Sequence, residues 1–257
     1  MTKTEDPVKV RIIELFRKRV YGMSPDLVQE SSAHDGSSGH WLERAMGLSP
    51  NSSNAPDFEG YEMKTGTRSK TTFGDWSADY YIYNDPFFGK IGRSHFLKIF
   101  GRPNPSKRGR FSWSGEPAPK ITSVNKFGQV LEVDIDNNIL ALYHYSKDSR
   151  FDKRQIVPPA MQRDRLIVAK WDMASIKRKL ERKFNQKGWF KCNKDSEGRY
   201  KSIVFGAPLS FEKWIQAVKK GDVFFDSGMY EGNARPYSQW RANNDFWSSL
   251  VVATYGA

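Results

Sequence analysis

The spacing of apolar residues predicts that the chain begins with a helix. Asp6 can cap the N-terminus of this helix, Pro7 suits its first position, and Gly22 lies just past its end. Apolar residues then recur at i, i+4, i+7 and i+8, which places them on one helical face. These residues are Val8, Ile12, Leu15 and Phe16.

Helical periodicity, strand-like runs and turn residues alternate along the rest of the chain. Helices are predicted at about 40–46, 93–100, 210–219 and from about 244, and another contains Ile176, Leu180 and Phe184. Strands are predicted at 60–66, 78–83, 166–171, 202–206, 222–227 and 237–242, and a hairpin joins 130–135 to 139–145. The stretch 101–115, rich in Pro and Gly, is predicted to be a loop. With no internal repeat and no long linker, the expected fold class is α+β, with mixed α and β elements.

The amino-acid composition indicates that the protein binds a polyanionic partner. In 257 residues, Lys and Arg outnumber Asp and Glu by 41 to 29, which favours nucleic acid or an anionic membrane surface. No apolar run approaches the ~20 residues needed to span a bilayer, and residues 1–6 lack the apolar core of a signal peptide. Cys192 is the one cysteine, which excludes an internal disulfide and a Cys-based zinc site, and none of the four histidines forms a metal-ligand pair such as HxxxH. The protein is therefore expected to be intracellular.

The strongest candidate for chemistry is the segment 54–64, Asn-Ala-Pro-Asp-Phe-Glu-Gly-Tyr-Glu-Met-Lys. Residues two apart in a strand share a face, so Glu62 and Lys64 project together while Met63 faces a core. Gly60 offers a bend that brings Asp57 round to join them. Two carboxylates beside an ammonium group suit a divalent cation and phosphodiester hydrolysis. The alternative is a surface strand with an incidental charge pair.

A basic stretch without acids indicates contact with a phosphate backbone. Between Pro86 and Gly115 there is no Asp or Glu, and aromatic residues are interleaved with the cations. The cations of this stretch are Lys90, Arg93, Lys98, Arg102, Lys107, Arg108 and Arg110. A second basic block, 177–191, lies largely on the polar side of an amphipathic helix, and its charges are attributed to an exposed face.

The C-terminal segment 226–243 carries side chains that suit base edges. Arginine pairs with guanine, while Asn and Gln pair with adenine. The candidate DNA-reading residues are Asn233, Arg235, Tyr237, Gln239 and Arg241. The alternative is a polar loop packed by its own Trp and Tyr side chains.

Taken together, residues 35–43 and 54–64 resemble the core of the MvaI/BcnI-type restriction endonucleases, which are relatives of the mismatch-repair protein MutH. The shared features are a glycine-containing loop, a helix with the Leu42-Glu43 pair, and the strand with Asp57, Glu62 and Lys64. The chain departs from some relatives in lacking a histidine at Gly74-Asp75 and another in the stretch 236–240.

The resemblance implies a PD-(D/E)XK nuclease with a central mixed sheet flanked by helices, acting on double-stranded DNA with Mg²⁺, for which Mn²⁺ substitutes. Asp57, Glu62 and the main-chain carbonyl of Met63 then hold the metal, and Lys64 acts on the attacking water. It also places Glu43 beside the metal site, whereas helix spacing alone makes Glu43 an exposed acid paired with His40.

The resemblance further implies a cytoplasmic monomer that cuts one strand at a time, with a DNA methyltransferase in the same cell but no stable complex with it. The whole chain, 1–257, is expected to be a single nuclease unit with two lobes around a DNA cleft. The catalytic lobe is expected at 1–90 plus 165–220, and the DNA-binding lobe at 91–164 plus 221–257. Two alternatives remain open from the sequence: a MutH-like repair nickase, and a non-catalytic DNA-binding protein.

Overall fold

The computed structural model describes residues 5–25, 37–48, 54–65 and 69–256, in which helices and strands alternate. The helices are α1 (Pro7–Arg19), α2 (Ser37–Ala45), α3 (Gly92–Phe100), α4 (Lys153–Ile156), α5 (Met173–Phe184), α6 (Phe211–Lys220) and α7 (Asn244–Ser249). The strands are β1 (Tyr61–Lys64), β2 (Lys70–Asp75), β3 (Tyr80–Tyr81), β4 (Arg102–Asn104), β5 (Arg110–Trp113), β6 (Phe127–Val133), β7 (Ile139–Asp148), β8 (Leu166–Trp171), β9 (Gly188–Lys194), β10 (Tyr200–Gly206), β11 (Val223–Asp226), β12 (Met229–Tyr230), β13 (Gln239–Asn243) and β14 (Val251–Tyr255).

The protein is of mixed α and β class, as the sequence predicts. The cap of α1 is confirmed, because the Asp6 carboxylate accepts a hydrogen bond from the Val8 amide at 3.0 Å. Within the described residues the strands form four sheets, of three or four strands each. No helix in these ranges is both long and apolar enough to cross a membrane.

The basic stretch 101–115, predicted to be a loop, is instead a hairpin of β4 and β5 joined by a 3-10 turn. The prediction was wrong because the prolines and glycines of the stretch were taken as signs of a loop. Strand β4 lies at the edge of the order β12-β5-β4, where a residue without an N–H is tolerated. The basic side chains of this stretch are thus carried on a defined hairpin.

Besides β4 and β5, four strands were not predicted from the sequence: β2, β9, β12 and β14. Strand β14 occupies an edge and alternates between half-buried and exposed residues, so it has no marked apolar run. The predicted strand 78–83 is reduced to β3, because residues 82–84 turn into a 3-10 helix. The helix predicted from about 244 is α7, which ends at Ser249, before β14.

The chain divides into two compact units. The first comprises 1–71, 180–210 and 243–257, and the second comprises 72–179 and 211–242. In the first unit, β1 pairs in parallel with β9, while β9, β10 and β14 pair antiparallel in the order β1-β9-β10-β14. Apolar side chains from α1 and α2 pack against one face of this sheet.

The second unit contains the sheet β3-β8-β7-β6, built around the predicted hairpin of β6 and β7. Its aromatic core includes Trp171, Trp214 and Trp240, all fully buried, with ring centroids 5.4 Å apart between neighbours. Aromatic pairs of this kind stabilise a core beyond the apolar area that they bury. The unit therefore has a core of its own.

Candidate active site

Strand β1 separates an apolar face from a charged one. Tyr61 and Met63 belong to the buried core that α1 and α2 complete. Glu62 and Lys64 lie on the opposite face, and in the parallel register with β9 they align with Trp189 and Lys191. The predicted parity of the strand is confirmed.

The turn before β1 brings Asp57 to the strand. Glu59 and Gly60 both have positive φ angles, of 42° and 97°, and the main chains of Phe58 and Tyr61 exchange two hydrogen bonds of 2.9 Å. Two consecutive left-handed residues between a paired couple make a tight reversal, for which glycine at the second position is favoured. Folded back in this way, Asp57 accepts a hydrogen bond from the Met63 amide through Oδ2, at 3.0 Å.

The same hydrogen bond defines the direction of the Met63 carbonyl. Among the strands that the structure describes, β1 lies at the edge of its sheet and pairs only with β9. In a strand the N–H and C=O of one residue point to the same side, and the Met63 N–H points towards Asp57. The Met63 carbonyl therefore faces the edge where Asp57 lies, which suits it as an oxygen ligand.

Glu62 is the central side chain of the site, and its two carboxylate oxygens differ sharply. It is 1% exposed, and its Oε1 accepts from Lys64 Nζ at 2.7 Å and from Lys183 Nζ at 3.1 Å. Its Oε2 is buried and has no hydrogen-bond partner among the described residues. A buried carboxylate oxygen without a donor is costly, so this atom calls for a cation or a donor beyond the described contacts.

Aromatic rings surround the charged pair. The Lys64 ammonium lies 5.1 Å from the centroid of the Phe184 ring, and the Trp247 ring contacts both Phe184 and Trp189, at 6.0 and 5.0 Å. Trp189 lies so close over Gly206 that any Cβ at that position would overlap the indole. Glu62 and Lys64 are themselves buried, at 1% and 8% exposure, and shielding from water strengthens the electrostatic interaction between them.

Burial opposes the charged forms of both members of the pair. It raises the pKa of the Glu62 carboxyl, with Lys64 and Lys183 acting in the opposite direction and Asp57 adding to the rise. Burial also lowers the pKa of the Lys64 ammonium, against the pull of Glu62. A lysine with a lowered pKa is more readily deprotonated, and its neutral amine can accept a proton; a bound cation would favour the ionised Glu62.

The oxygen donors present fit a hard divalent cation. Asp57 and Glu62 influence each other electrostatically, and the Met63 carbonyl lies on the side of Asp57. Across the described ranges, no three His, Cys, Asp or Glu side chains converge into a ready-made cage. A carboxylate pair with few protein ligands suits Mg²⁺, which keeps several of its waters when bound.

Glu43 lies on α2 and is partly exposed. Its carboxylate is 3.4 Å from Nδ1 of His40, which is the pairing expected from helix spacing. One turn before it, Gly39 lies against the end of β1, since a Cβ there would be 3.6 Å from the Thr65 hydroxyl oxygen. The face of α2 that carries Glu43 thus begins close to the charged strand.

The structure adds two lysines that sequence reasoning missed. Lys183 belongs to the basic block 177–191, whose charges were attributed to an exposed face, yet it reaches buried Glu62. Lys191 lies beside Lys64 on the charged face of the sheet, and burial lowers its pKa. Helix periodicity placed Lys183 correctly on α5, but the pairing of β9 with β1 was needed to show what these side chains face.

The C-terminal candidates form a hydrogen-bonded cluster on β11 and β13. Asp226 lies opposite Gln239 in the antiparallel register, and Arg241 follows two residues later on the same face. The Arg241 Nε lies 2.9 Å from Gln239 Oε1 and 3.3 Å from Asp226 Oδ2. The guanidinium is therefore held in a fixed orientation.

Two other C-terminal candidates lie near the start of β13. Arg235 is exposed, forms an ion pair of 3.0 Å with Asp75, and lies over the Tyr237 ring at 4.9 Å. Asn233 is buried, and its side-chain oxygen accepts from the Tyr230 amide within a turn. This placement gives Asn233 a structural role in the turn, and its contact with a base stays a prediction.

The candidates in the basic stretch differ in exposure. Lys98, Lys107 and Arg108 are exposed. Arg102 is exposed and paired with Glu116 at 2.9 Å, and Arg110 is half-buried against the Tyr230 ring at 3.4 Å. Lys107 and Arg108 therefore offer charges at the turn of the hairpin, whereas Arg110 helps to hold β5 against β12.

Comparisons with known proteins agree on the family. Residues 22–255 match the model described as LlaMI restriction endonuclease. The chain is 47% identical to the type II restriction enzyme ScrFI of Lactococcus lactis subsp. cremoris, over 96% of this chain and 98% of that protein. Its fold matches that of restriction endonuclease MvaI in a complex with cognate DNA, with a TM-score of 0.64 at 12% identity, covering 98% and 99% of the two chains. The expected resemblance is thus confirmed: the chain belongs to the LlaMI family of restriction endonucleases and is a DNA endonuclease of the type II restriction class.

Proposed function

We propose that this enzyme hydrolyses phosphodiester bonds of duplex DNA at a specific sequence, with Mg²⁺ held by Asp57, Glu62 and the carbonyl of Met63. The observation that carries this proposal is the buried Oε2 of Glu62, which has no partner in the part of the chain that the structure describes; it lies beside Lys64, on the strand to which Asp57 is folded back. The accompanying fold proposal is a PD-(D/E)XK core built on the sheet that contains β1. Mn²⁺ is expected to substitute for Mg²⁺.

When bound, the metal would polarise the phosphoryl group and lower the pKa of a bound water. Asp57 and Glu62 contribute the negative charge that attracts the cation to the strand edge. Lys64 orients the attacking water and stabilises negative charge on the phosphate, and its lowered pKa equips it to accept a proton. Glu43 is proposed to assist through a bound water or a second metal, a role that follows from the family resemblance.

DNA recognition is assigned to two groups of residues. Arg241 and Gln239 are proposed to contact base edges, with Arg235 and Tyr237 beside them. Phosphate contacts are assigned to Lys98, Arg102, Lys107, Arg108 and Arg110. The restriction endonuclease MvaI, whose fold this chain matches, has a solved structure in complex with its cognate DNA substrate, and this supports duplex DNA as the partner.

The enzyme is further proposed to act as a monomer in the cytoplasm, nicking one strand at each binding event. A cognate methyltransferase is expected in the same cell, without a stable complex. The alternatives of a repair nickase and of a non-catalytic DNA-binding protein gain no support from the comparisons.

Removing either carboxylate tests the proposed metal site. Asp57→Ala and Glu62→Ala should abolish Mg²⁺-dependent cleavage of a plasmid, because each empties half of the carboxylate pair. DNA binding measured in EDTA should survive, since fewer negative charges then face the phosphates. Glu59→Ala is the matched control, because Glu59 lies in the same turn but is exposed and paired with Arg11. Near-normal Mg²⁺-dependent cleavage by both active-site variants would contradict the assignment.

A further inference from the structure

We infer that Lys183 is a positioning residue of the active site, which holds Glu62 so that Oε2 remains available to the metal. The inference rests on the proposed metal-dependent cleavage at this site. It concerns a residue outside the Asp-Glu-Lys strand, on the last turn of α5.

The two oxygens of the Glu62 carboxylate have different surroundings. Both ammonium groups, of Lys64 and Lys183, contact Oε1, at 2.7 and 3.1 Å, and Oε2 has no partner among the described residues. Rotating the carboxylate by half a turn would exchange the two oxygens without removing either contact. Two donors on one side nevertheless fix the plane of the group and the direction in which the second oxygen points.

Lys64 alone could not both act on the attacking water and hold the Glu62 carboxylate during the reaction. If Lys64 turns towards the attacking water or the phosphate, Glu62 loses its shorter contact. Lys183 comes from a different element, and its 3.1 Å contact can then keep the buried carboxylate ionised and oriented. Lys64 is thus available for the chemistry, while Lys183 orients Glu62, the proposed metal ligand.

The surroundings of Lys183 distinguish it from the other cations of its helix. Its side chain is 17% exposed, whereas Arg182, the preceding residue, is exposed on another face of α5. The next residue, Phe184, contributes the ring that contacts Lys64. The end of α5 therefore supplies both an apolar wall and a cation to the same charged strand.

The test compares Lys183→Met with Arg182→Met, a matched loss of one positive charge from the same helical turn. Binding of Mn²⁺ to the full-length enzyme without DNA is measured by electron paramagnetic resonance, and DNA affinity is measured in EDTA. Lys183→Met should weaken Mn²⁺ binding by about 10–100-fold, the usual effect of removing a residue that orients a metal ligand. Arg182→Met should bind Mn²⁺ as the unaltered enzyme does, and Lys183→Arg should recover most of the loss.

DNA affinity in EDTA should fall no further for Lys183→Met than for Arg182→Met. Melting midpoints check folding, and Lys183→Gln, which keeps a hydrogen-bond donor without the charge, replaces the Met variant if that variant does not fold. Unchanged Mn²⁺ binding by a folded, uncharged variant would overturn the inference. So would a loss of DNA affinity in EDTA as large as the loss of Mn²⁺ affinity, since Lys183 would then be a phosphate contact. Failure of the unaltered enzyme to bind Mn²⁺ would overturn the metal-dependent function itself, and the inference with it.

Discussion

Glu62 and Lys64 lie two residues apart on β1, and neither is in contact with bulk water to any large extent. Burial disfavours the charge on each, so the pair is held together by mutual contact and by Lys183 rather than by solvation. The unfavourable burial of these two charges can be offset when a cation binds beside Glu62 and a phosphate binds beside Lys64. At this scale, the consequence is that each charge should affect the cleavage rate far more than DNA affinity.

Replacing Lys64 tests this expectation directly. Lys64→Met keeps much of the side-chain length, but it removes the ammonium that lies over the Phe184 ring. We expect the single-turnover cleavage rate to fall by roughly 100-fold or more, as for the loss of one preorganised transition-state contact. Affinity for cognate DNA should change little. If affinity drops as much as the rate, Lys64 is an anchor for a phosphate rather than a participant in the chemistry.

Much at the residue scale was accessible from the sequence. The two-residue spacing predicted that Glu62 and Lys64 share a face, and Gly60 predicted the bend that returns Asp57 to the strand; the structure has both features. Contacts between distant parts of the chain were not accessible. Lys183 is one cation among several on an amphipathic helix, and only the packing of α5 on β1 singles it out.

Among the secondary-structure elements, β11 with β13 and the hairpin of β4 with β5 present their cations differently. Arg241 is clamped by Gln239 and Asp226 on paired strands, whereas Lys107 and Arg108 are exposed at a turn. A fixed, planar guanidinium suits discrimination between bases, and exposed cations suit a phosphate backbone of any sequence.

Salt titrations on cognate and scrambled duplexes should separate the two groups. Arg241→Ala should cost about 1–3 kcal/mol on the cognate site and much less on the scrambled one, collapsing the ratio of the two affinities. Lys107→Ala with Arg108→Ala should weaken both alike and reduce the slope of log affinity against log salt by about one per contact. If Arg241→Ala lowers the affinity for both duplexes equally, β13 does not carry the residue that recognises the base sequence.

Strand β7 ends in a buried ion pair that should govern part of the acid sensitivity of the second unit. Burial alone would raise the pKa of Asp148, but hydrogen bonds from Arg150 and Tyr143 outweigh it, so the pKa of this carboxyl is lowered. Stability from this group is therefore present above the pKa of an unfolded aspartate, about 4, and is lost as the pH falls through the lower folded value.

Asp148→Asn should consequently lower stability by about 3 kcal/mol near neutral pH, because Arg150 is left partly buried without its charge partner. Thermal unfolding at neutral pH and again below pH 3 measures the effect. The difference between variant and unaltered enzyme should shrink in acid, where the native carboxyl is itself becoming protonated. A difference that stays constant across this range would show that the charge on Asp148 is not what stabilises β7.

At the element scale, the sequence predicted strongly periodic helices well and edge strands poorly. Helix α3 and strand β8 have the predicted positions to within a residue. Strand β4 was missed because Pro103 normally breaks a ladder, and β14 because edge pairing needs little apolar content. The pairing of β9 with β1 joins residues far apart in sequence, and local pattern carries no information about such pairing.

For the whole molecule, the remaining question is how many catalytic centres act on one duplex. The described residues hold one Asp-Glu-Lys strand, so a single chain cutting both strands must act twice. If the enzyme is a monomer, as proposed, open-circle plasmid should accumulate before linear product in a time course. Sedimentation should give the mass of one chain. Direct conversion to linear DNA by a dimer would contradict the proposal.

The amide of Met63 provides an internal reporter of the site. Its proton is donated to the Asp57 carboxylate, the same group that is proposed to bind the cation. When a cation draws electron density from that carboxylate, the hydrogen bond weakens and the amide resonance should move upfield in an NMR spectrum. One backbone signal could thus follow occupancy of the strand edge in solution, with no DNA, no label on a side chain and no turnover.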